Sequence, residues 1–547
     1  MDGRVRPRHP APTPAWRPAE AQTLGDLVER RAATEPDSVY FTLFGQPLTA
    51  GRLHEASRRY AGALANLGLG PGDNIAIVLP TCQEFFFAFF GALAAGCVPV
   101  PLYPTLGPEL KARIFRNCEA QAVITIDWFR QDVEAARAEA PAMRHYLTPD
   151  RLEGGAVPTR LMRPAEEDVC FLQYTSGSTA DPRGVVLTHR NVMATVRMMV
   201  DTVGVGPTDR VVSWLPLYHD MGLIGIGFGA LYTGARLTLL PPDLKNPRTW
   251  LEAISTVRAD ITVSPDFGYR NCLRNIHDVT DLDLSSLRMA MSGAEPVRLS
   301  TIRAFQERFG VGDVFAPAYG LAEATLAVAI WPHGRPVQLD PSGRFVAVGR
   351  PCPGVQVAIE GPDGAGRAAT GQEGEVLVRG EGVMQGYYRD PEATRVALRD
   401  GWLHTGDLGM LDAEGYLYIT GRIKDLIVVR GENVVPADIE EIVDSIPGIR
   451  YSAAVGVESE RTGTQRLHVV AEIRGDGLAP TDLANLARTI TREVHRRRGL
   501  HPARILLVRA QTIPKTSSGK IQRAALAAQV ATGGLADRVI HHTGAAG

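Results

Sequence analysis

Short apolar runs alternate with longer amphipathic stretches along most of this chain. Residues 74–79, 122–126, 169–174, 236–240, 261–264 and 288–292 are brief apolar runs, the length of strands buried on both faces. Between them, 53–67 and 249–258 repeat apolar positions at helical spacing. This alternation predicts an α/β architecture with largely parallel sheets. Residues 355–360 and 375–379, joined by a glycine-rich turn, predict an antiparallel pair closing the large domain as a small barrel-like β subdomain. After Gly421 the pattern restarts, and 451–457, 467–473 and 483–498 predict a compact α+β unit. The expected partition is a Pro-rich tail over 1–21, a large N-terminal domain over 22–421, a small mobile C-terminal lid over 422–530, and a tail over 531–547. That last tail holds His541 and His542, read as a disordered end rather than a metal site.

One run needs a membrane check. Residues 85–103 are strongly apolar, but the helical part stops near Gly96, with Pro99 and Pro101 beyond. About a dozen helical residues reach about 18 Å, short of the roughly 30 Å of a bilayer core. The run predicts a buried helix, and no membrane span is expected.

With 547 residues, the chain exceeds what one core organises and suits a large domain plus a smaller one. A formal charge of −2 argues against nucleic acid as the main partner, since a phosphate backbone calls for a basic face. Lysine appears only at 111, 245, 424, 515 and 520, so Lys424 and Lys520 stand out in a chain that otherwise uses arginine. The six cysteines are scattered without C-x-x-C spacing and read as core thiols of a reducing cytoplasm. No apolar secretion segment is visible in the N-terminal residues.

The first chemistry-bearing motif is YTSGSTADPRGVVLTHR, residues 174–190. Thr175, Ser176, Gly177, Ser178 and Thr179 directly follow an apolar strand and offer unencumbered N–H and O–H donors to an anion. Arg183 follows. A plain polar loop has the same composition. The spacing is neither that of a P-loop nor of a dinucleotide fingerprint.

Four further segments follow in order: Tyr319-Gly320-Leu321-Ala322-Glu323; Gly401-Trp402-Leu403-His404-Thr405-Gly406-Asp407; Gly421-Arg422-Ile423-Lys424-Asp425, continuing to Arg430-Gly431-Glu432-Asn433; and Pro514-Lys515-Thr516-Ser517-Ser518-Gly519-Lys520. Together with the Ser/Thr/Gly loop, they resemble the adenylate-forming superfamily of acyl-CoA synthetases, fatty acyl-AMP ligases, adenylation domains and luciferases. The resemblance runs from about residue 24 to about residue 527.

That resemblance implies ATP and Mg²⁺ as cofactors and a carboxylic acid as substrate. The acid would attack the α-phosphorus, giving acyl-AMP and pyrophosphate. Residues 175–179 and Arg183 would hold the β- and γ-phosphates. The family's commonest pattern has Gly at the position of Ala180 and Lys at that of Arg183; a guanidinium still binds phosphate, as a fork. Tyr319, with Gly320 next to it, would face adenine, and Glu323 with Thr179 would ligate Mg²⁺. Ser292-Gly293-Ala294-Glu295 resembles the segment lining the adenine pocket. Asp407 and Arg422 would hold the ribose hydroxyls. Lys520 would bridge the substrate carboxylate and the α-phosphate, and Lys424 would sit at the hinge of the lid.

Ser213-Trp214-Leu215-Pro216-Leu217-Tyr218-His219-Asp220-Met221-Gly222-Leu223 looks most like the fatty acyl-AMP ligases that load acyl carrier proteins, with His219 bordering the carboxylate pocket. Arg430, where CoA-using relatives carry a small residue, leans the same way. Against it, only some twenty residues separate Leu326 from Gly349, where those ligases carry an insertion. Acyl carrier protein or CoA as acceptor therefore stays open. A silent nucleotide-binding homologue would be expected to have lost Lys520, Glu323 or Asp407, and all three are present. Tyr218, Gly225, Phe267 and Met291 are candidate walls for the acyl group, without fixing whether it is fatty, aryl or polycyclic.

Overall fold

The computed structural model describes residues 18–157, 161–175, 182–361, 366–429, 432–459, 464–475, 478–515 and 521–544. The chain divides into two compact units: Met1–Gln173 with Val186–Thr262, and Tyr174–Val185 with Val263–Gly547.

The first unit carries the parallel strands predicted from the apolar runs. Val98–Pro101, Asn74–Val78, Ala122–Thr125 and His145–Leu147 lie side by side in that order, all parallel. Every residue of the first three is buried, which is why they are apolar throughout rather than alternating. A second set joins Ile261–Ser264, Arg210–Ser213, Arg236–Leu239 and Val39–Leu43 in parallel, with Gln46–Thr49 returning antiparallel at the edge. The apolar run checked above is the helix Gln83–Ala94, with 85–93 wholly buried. Its Phe86 packs edge-on against Tyr40 at 5.2 Å, and its Phe89 lies 5.4 Å from Phe228. Each such buried ring contributes about 1.5–3 kcal/mol. Among the described residues no helix is long and apolar enough to cross a membrane.

Two local features stand out here. Thr188 caps the helix His189–Val203 in a capping box with Asn191, ending the strand Arg183–Thr188 sharply. Met221–Phe228 is a π-helix, and the Asp220 carboxylate accepts the Met221 N–H at its start. π-Helical turns are rare and gather at functional sites.

In the second unit, Met289–Ser292 and Phe315–Gly320 run parallel, and Ala327–Ile330 returns antiparallel to Phe315–Gly320. The predicted antiparallel pair is present as Gln356–Glu360 and Gly374–Arg379. Trp402–Leu411 and Leu417–Arg422 extend it, placing Asp407 opposite Arg422 in register.

The C-terminal segment has the expected α+β character. Ile449–Ser459, Thr464–Ile473, Arg504–Val508 and Val539–His542 form one sheet. Side-chain alternation splits it into two cores. Ala454, Val469, Ala471, Ile505 and Leu507 face Pro436–Asp444 and Pro480–Arg498, whereas Tyr451, Ala453, Val455, Val470 and Leu506 face Arg523–Thr532.

Two expectations about the ends are corrected. The segment from 531 is not simply a tail: Val539–His542 pairs antiparallel with Arg504–Val508, setting His541 opposite Leu507, and Leu535 is buried. Val539 packs on the second core, and the strand covers what would otherwise be an open sheet edge. At the other end Ala21, expected in the tail, is fully buried and its carbonyl accepts from Arg197.

Candidate functional site

The Ser/Thr/Gly loop is bracketed by two strands, Val169–Thr175 and Arg183–Thr188, rather than by a strand and a helix. Thr175 ends the first strand. Ser176, Gly177, Ser178, Thr179 and Ala180 lie outside the described residues. Gly184 is required by packing, because an added Cβ would stand 2.9 Å from Tyr174 Cζ. Arg183, half exposed, has its Nε 3.7 Å from Asp390 and its guanidinium 5.3 Å above the ring of Tyr387.

Glu323 stands on the short 3₁₀ turn Ala322–Ala324. This turn is folded back so tightly that a Cβ on Gly320 would lie 1.7 Å from the Leu326 carbonyl oxygen. Thr325 takes a left-handed φ of 64° there, and its hydroxyl donates to the Gly382 carbonyl at 2.6 Å. The Glu323 carbonyl accepts from Met384 N at 2.8 Å, and its Oε1 accepts from the Tyr387 hydroxyl at 2.9 Å.

Asp407 anchors a second cluster. Its Oδ2 accepts from the Tyr319 hydroxyl at 2.6 Å, and its Oδ1 lies 2.7 Å from Arg422 Nε. The side chain of Asp407 is 3% exposed, while that of Arg422 is 41% exposed. Burial, then the neighbouring Asp407 carboxylate, pushes the Tyr319 phenol well above its ordinary range, so it stays a donor. Asp407 raises the Arg422 guanidinium further still. Tyr319 therefore contributes a hydroxyl to the aspartate as well as the ring expected from the sequence.

Ser292-Gly293-Ala294-Glu295 forms the turn after the strand Met289–Ser292. Gly293 sits where a Cβ would press on the Ala318 carbonyl at 2.9 Å, and Ala294 takes a left-handed φ of 66°. The Glu295 carboxylate accepts from Phe267 N and lies 4.0 Å from Arg270. Burial raises its pKa. It is part of a buried charge lattice absent from the sequence reading. Arg270 Nε lies 2.8 Å from Asp266, Arg298 lies 2.9 Å from Asp444, and Arg270 Nη1 lies 3.6 Å from the same Asp444. The lattice thus joins residues 266–298 to the helix Pro436–Asp444.

His219 belongs to the first unit, where its Nδ1 lies 2.6 Å from Asp220 Oδ1. Its carbonyl accepts from Leu223 N at 2.8 Å as the π-helix begins. The Tyr218 ring lies 4.7 Å from that of Tyr103, tilted by 44°. Lys424 is exposed on the turn Ile423–Asp425. Lys520 and Arg430 lie outside the described residues. The chain on either side of 516–520 is pinned: Lys515 bridges to Ile521, Gln522 N donates to Pro514 O at 2.9 Å, and the buried Glu472 accepts from Thr512 N and Ile513 N.

Of the residues expected from the sequence, the fold brings together Tyr319, Asp407 and Arg422. Arg183 and Glu323 are joined through a residue the sequence reading missed, Tyr387. Its one local signal is the Gly386-Tyr387 pair just ahead of Asp390.

Residues 28–388 match the model of the AMP-binding enzyme family. The chain is 33% identical to the 4-hydroxyphenylalkanoate adenylyltransferase of Mycobacterium tuberculosis, over 95% of this chain and 92% of that protein. It is 33% identical to the medium-chain-fatty-acid–[acyl-carrier-protein] ligase JamA of Moorena producens, over 82% of this chain and 84% of that protein. Among solved structures, one from a study of the fatty acyl-adenylate ligases of E. coli and L. pneumophila superposes with a TM-score of 0.86 at 32% identity, covering 95% of this chain and all of that one.

Proposed function

The chain belongs to the AMP-binding enzyme family of adenylate-forming ligases, and from that premise we propose that it activates a carboxylic acid with ATP and passes the acyl group to a thiol. The first step yields acyl-AMP and pyrophosphate; the second releases AMP. Two anions must meet in the first step, so the protein's work is positioning and charge neutralisation.

The observation that carries this reading is the Asp407 cluster. A carboxylate has about four acceptor positions. Tyr319 and Arg422 engage one oxygen each, which leaves capacity for vicinal sugar hydroxyls. Arg183, with the Ser/Thr donors of 175–179, suits the outer phosphates. Glu323 with the Thr179 hydroxyl is a hard-oxygen donor set of the kind Mg²⁺ takes. Bound there, the ion would neutralise phosphate charge. Gly293 and Ala294 supply backbone for the adenine, with Glu295 fastening their turn from behind.

His219, oriented by Asp220, borders the incoming carboxylate. Lys520 would bring its ammonium between that carboxylate and the α-phosphate, bridging the two anions. Lys424 marks the pivot at which the segment from 422 turns as a lid between the two half-reactions.

We favour an acyl carrier protein as acceptor. The relative from Moorena producens bears that acceptor in its name, and Arg430 would narrow a path for free CoA. A second reading, full CoA-thioester synthesis, is favoured by the short connection between Leu326 and Gly349. Among the described residues the cysteines are free thiols, in keeping with a cytoplasmic protein. The test is ATP–pyrophosphate exchange across a panel of fatty, aryl and polycyclic acids, with CoA or a phosphopantetheinylated carrier protein then added separately. Acid-dependent exchange and thioester on the carrier protein alone are expected; thioester on CoA alone would move the assignment to the second reading. No exchange with any acid would contradict both.

A further inference from the structure

Tyr387 lies between the two charged groups that the proposed function assigns to the triphosphate and its cation. Its hydroxyl donates to Glu323 Oε1 at 2.9 Å, and its ring carries the Arg183 guanidinium at 5.3 Å from the centroid.

The backbone around the ring is fixed with unusual care. Gly386 has φ 147°, a region closed to other residues, and a Cβ there would lie 2.6 Å from Thr394 Cγ2. The Tyr387 N–H donates to the Thr394 hydroxyl at 2.9 Å, and that hydroxyl donates to the Asp390 carbonyl at 2.8 Å. Asp390 in turn caps the helix Pro391–Ala397 through Ala393 N and stands 3.7 Å from Arg183 Nε. One residue on, Tyr388 N donates to the Gly184 carbonyl at 2.7 Å, stitching this segment to the far end of the phosphate loop. A tyrosine that served only to fill space would need neither its hydroxyl on a carboxylate nor a cation on its face.

We propose that Tyr387 is a positioning residue that holds the cation ligand Glu323 and the phosphate-binding Arg183 in one geometry. The hydroxyl fixes which Glu323 oxygen is committed to the protein, leaving the other for the metal. The ring fixes Arg183 by cation–π attraction. The two contacts are separable by mutation. This inference rests on the reading that Glu323 and Arg183 serve Mg²⁺ and the triphosphate.

The test uses the full chain with two variants, Tyr387→Phe and Tyr387→Ala, and two readouts. Mn²⁺ binding in the presence of saturating ATP is followed by electron paramagnetic resonance, and ATP binding in EDTA by calorimetry. Tyr387→Phe keeps the ring and loses the hydroxyl. It is expected to weaken Mn²⁺ binding about tenfold, the size of one charge-assisted hydrogen bond, and to leave metal-free ATP binding unchanged. Tyr387→Ala is expected to weaken metal-free ATP binding as well, by about three- to tenfold.

Glu323→Gln closes a cycle. If the hydroxyl acts through Glu323, adding Tyr387→Phe to Glu323→Gln leaves Mn²⁺ binding no weaker than Glu323→Gln alone. Wild-type Mn²⁺ binding in Tyr387→Phe, or fully additive losses in the double variant, would overturn the proposal while leaving the proposed function standing. A wild-type protein that binds neither ATP nor Mn²⁺·ATP would sink the reading beneath it instead. Should Tyr387→Ala fail to fold, the Tyr387→Phe and Glu323→Gln cycle decides alone.

Discussion

Asp407 and Asp444 are both almost fully buried carboxylates held by arginine, yet their surroundings assign them opposite work. Asp407 receives Tyr319 on one oxygen and Arg422 on the other, and Arg422 is itself 41% exposed. Asp444 is closed on every side. Arg298 reaches it at 2.9 Å, Arg270 at 3.6 Å, and the Ser452 hydroxyl donates to its other oxygen at 2.8 Å. Both arginines are themselves largely shielded, and nearby Asp266 and Glu295 belong to the same lattice. We propose that Asp407, whose partner Arg422 is half in solvent, meets a ligand. A buried charge saturated by buried partners is arranged to hold segments of chain together, here residues 266–298 and 436–452.

The comparison can be broken by mutation. The largest effect is expected at Lys520, proposed to act on the same reaction as Asp407. Lys520→Ala should lower pyrophosphate exchange by about 10²–10³, the loss typical of one transition-state donor; exchange within threefold of wild type would contradict that role. Asp407→Asn should lower exchange about 10²-fold, as expected for loss of charge-assisted hydrogen bonds to a ligand, with little change in melting temperature.

Asp444→Ala should do the reverse. Removing one partner of a buried ion pair strands the other charges and costs about 3 kcal/mol or more. Thermal unfolding should register it while exchange per folded molecule stays near wild type. If Asp407→Asn unfolds the protein, or Asp444→Ala abolishes exchange at full stability, the contrast is wrong.

A smaller effect sharpens it. Lys424→Pro rigidifies the turn at Ile423–Asp425 and should slow thioester formation about tenfold while sparing acyl-AMP formation. Separate assays of the two half-reactions check this, and equal slowing of both would remove the hinge assignment.

The smallest effect concerns a buried group kept neutral. His189 is fully buried, its Nδ1 accepts from Leu24 N at 3.4 Å, and burial lowers its pKa to about 4. Between about 6.5 and about 4 the unfolded chain binds the proton that the folded protein refuses, so stability falls as pH drops through this window. The contribution at pH 5.5 is about 1 kcal/mol relative to neutrality. His189→Gln should flatten that part of the profile in denaturant titrations, and an unchanged slope would show that His189 is not its source.

Much of the fold was legible because several of its parallel strands, such as Asn74–Val78, Val98–Pro101 and Ala122–Thr125, are buried on both faces. All six apolar runs are strands, and the glycine-bounded phenylalanine run is a helix. The C-terminal sheet was legible in part. Its last strand, Val539–His542, is too short and too polar at 541–542 to announce itself, and it is held by the edge it covers.

For the candidate site, local motifs singled out Asp407, Arg422, Tyr319 and Glu323, since each sits in a contiguous segment with a distinctive order. Contacts across long separations were not readable. Tyr387 meets Glu323 from 64 residues away, and Arg298 meets Asp444 from 146 residues away, with no periodicity linking either pair. Glu295 was expected only as part of the adenine-lining segment; its own carboxylate turns to Phe267 N, which no local pattern encodes.

The most direct test of the central claim is to look for the mixed anhydride itself. Purified protein would be mixed with α-³²P-labelled ATP, Mg²⁺ and a broad acid library without any thiol, quenched within one turnover, and the products separated. The account expects a labelled acyl-AMP with at least one acid, lost in Asp407→Asn and retained in Asp444→Ala. Label remaining in ATP with every acid, from a folded wild-type protein, would contradict it.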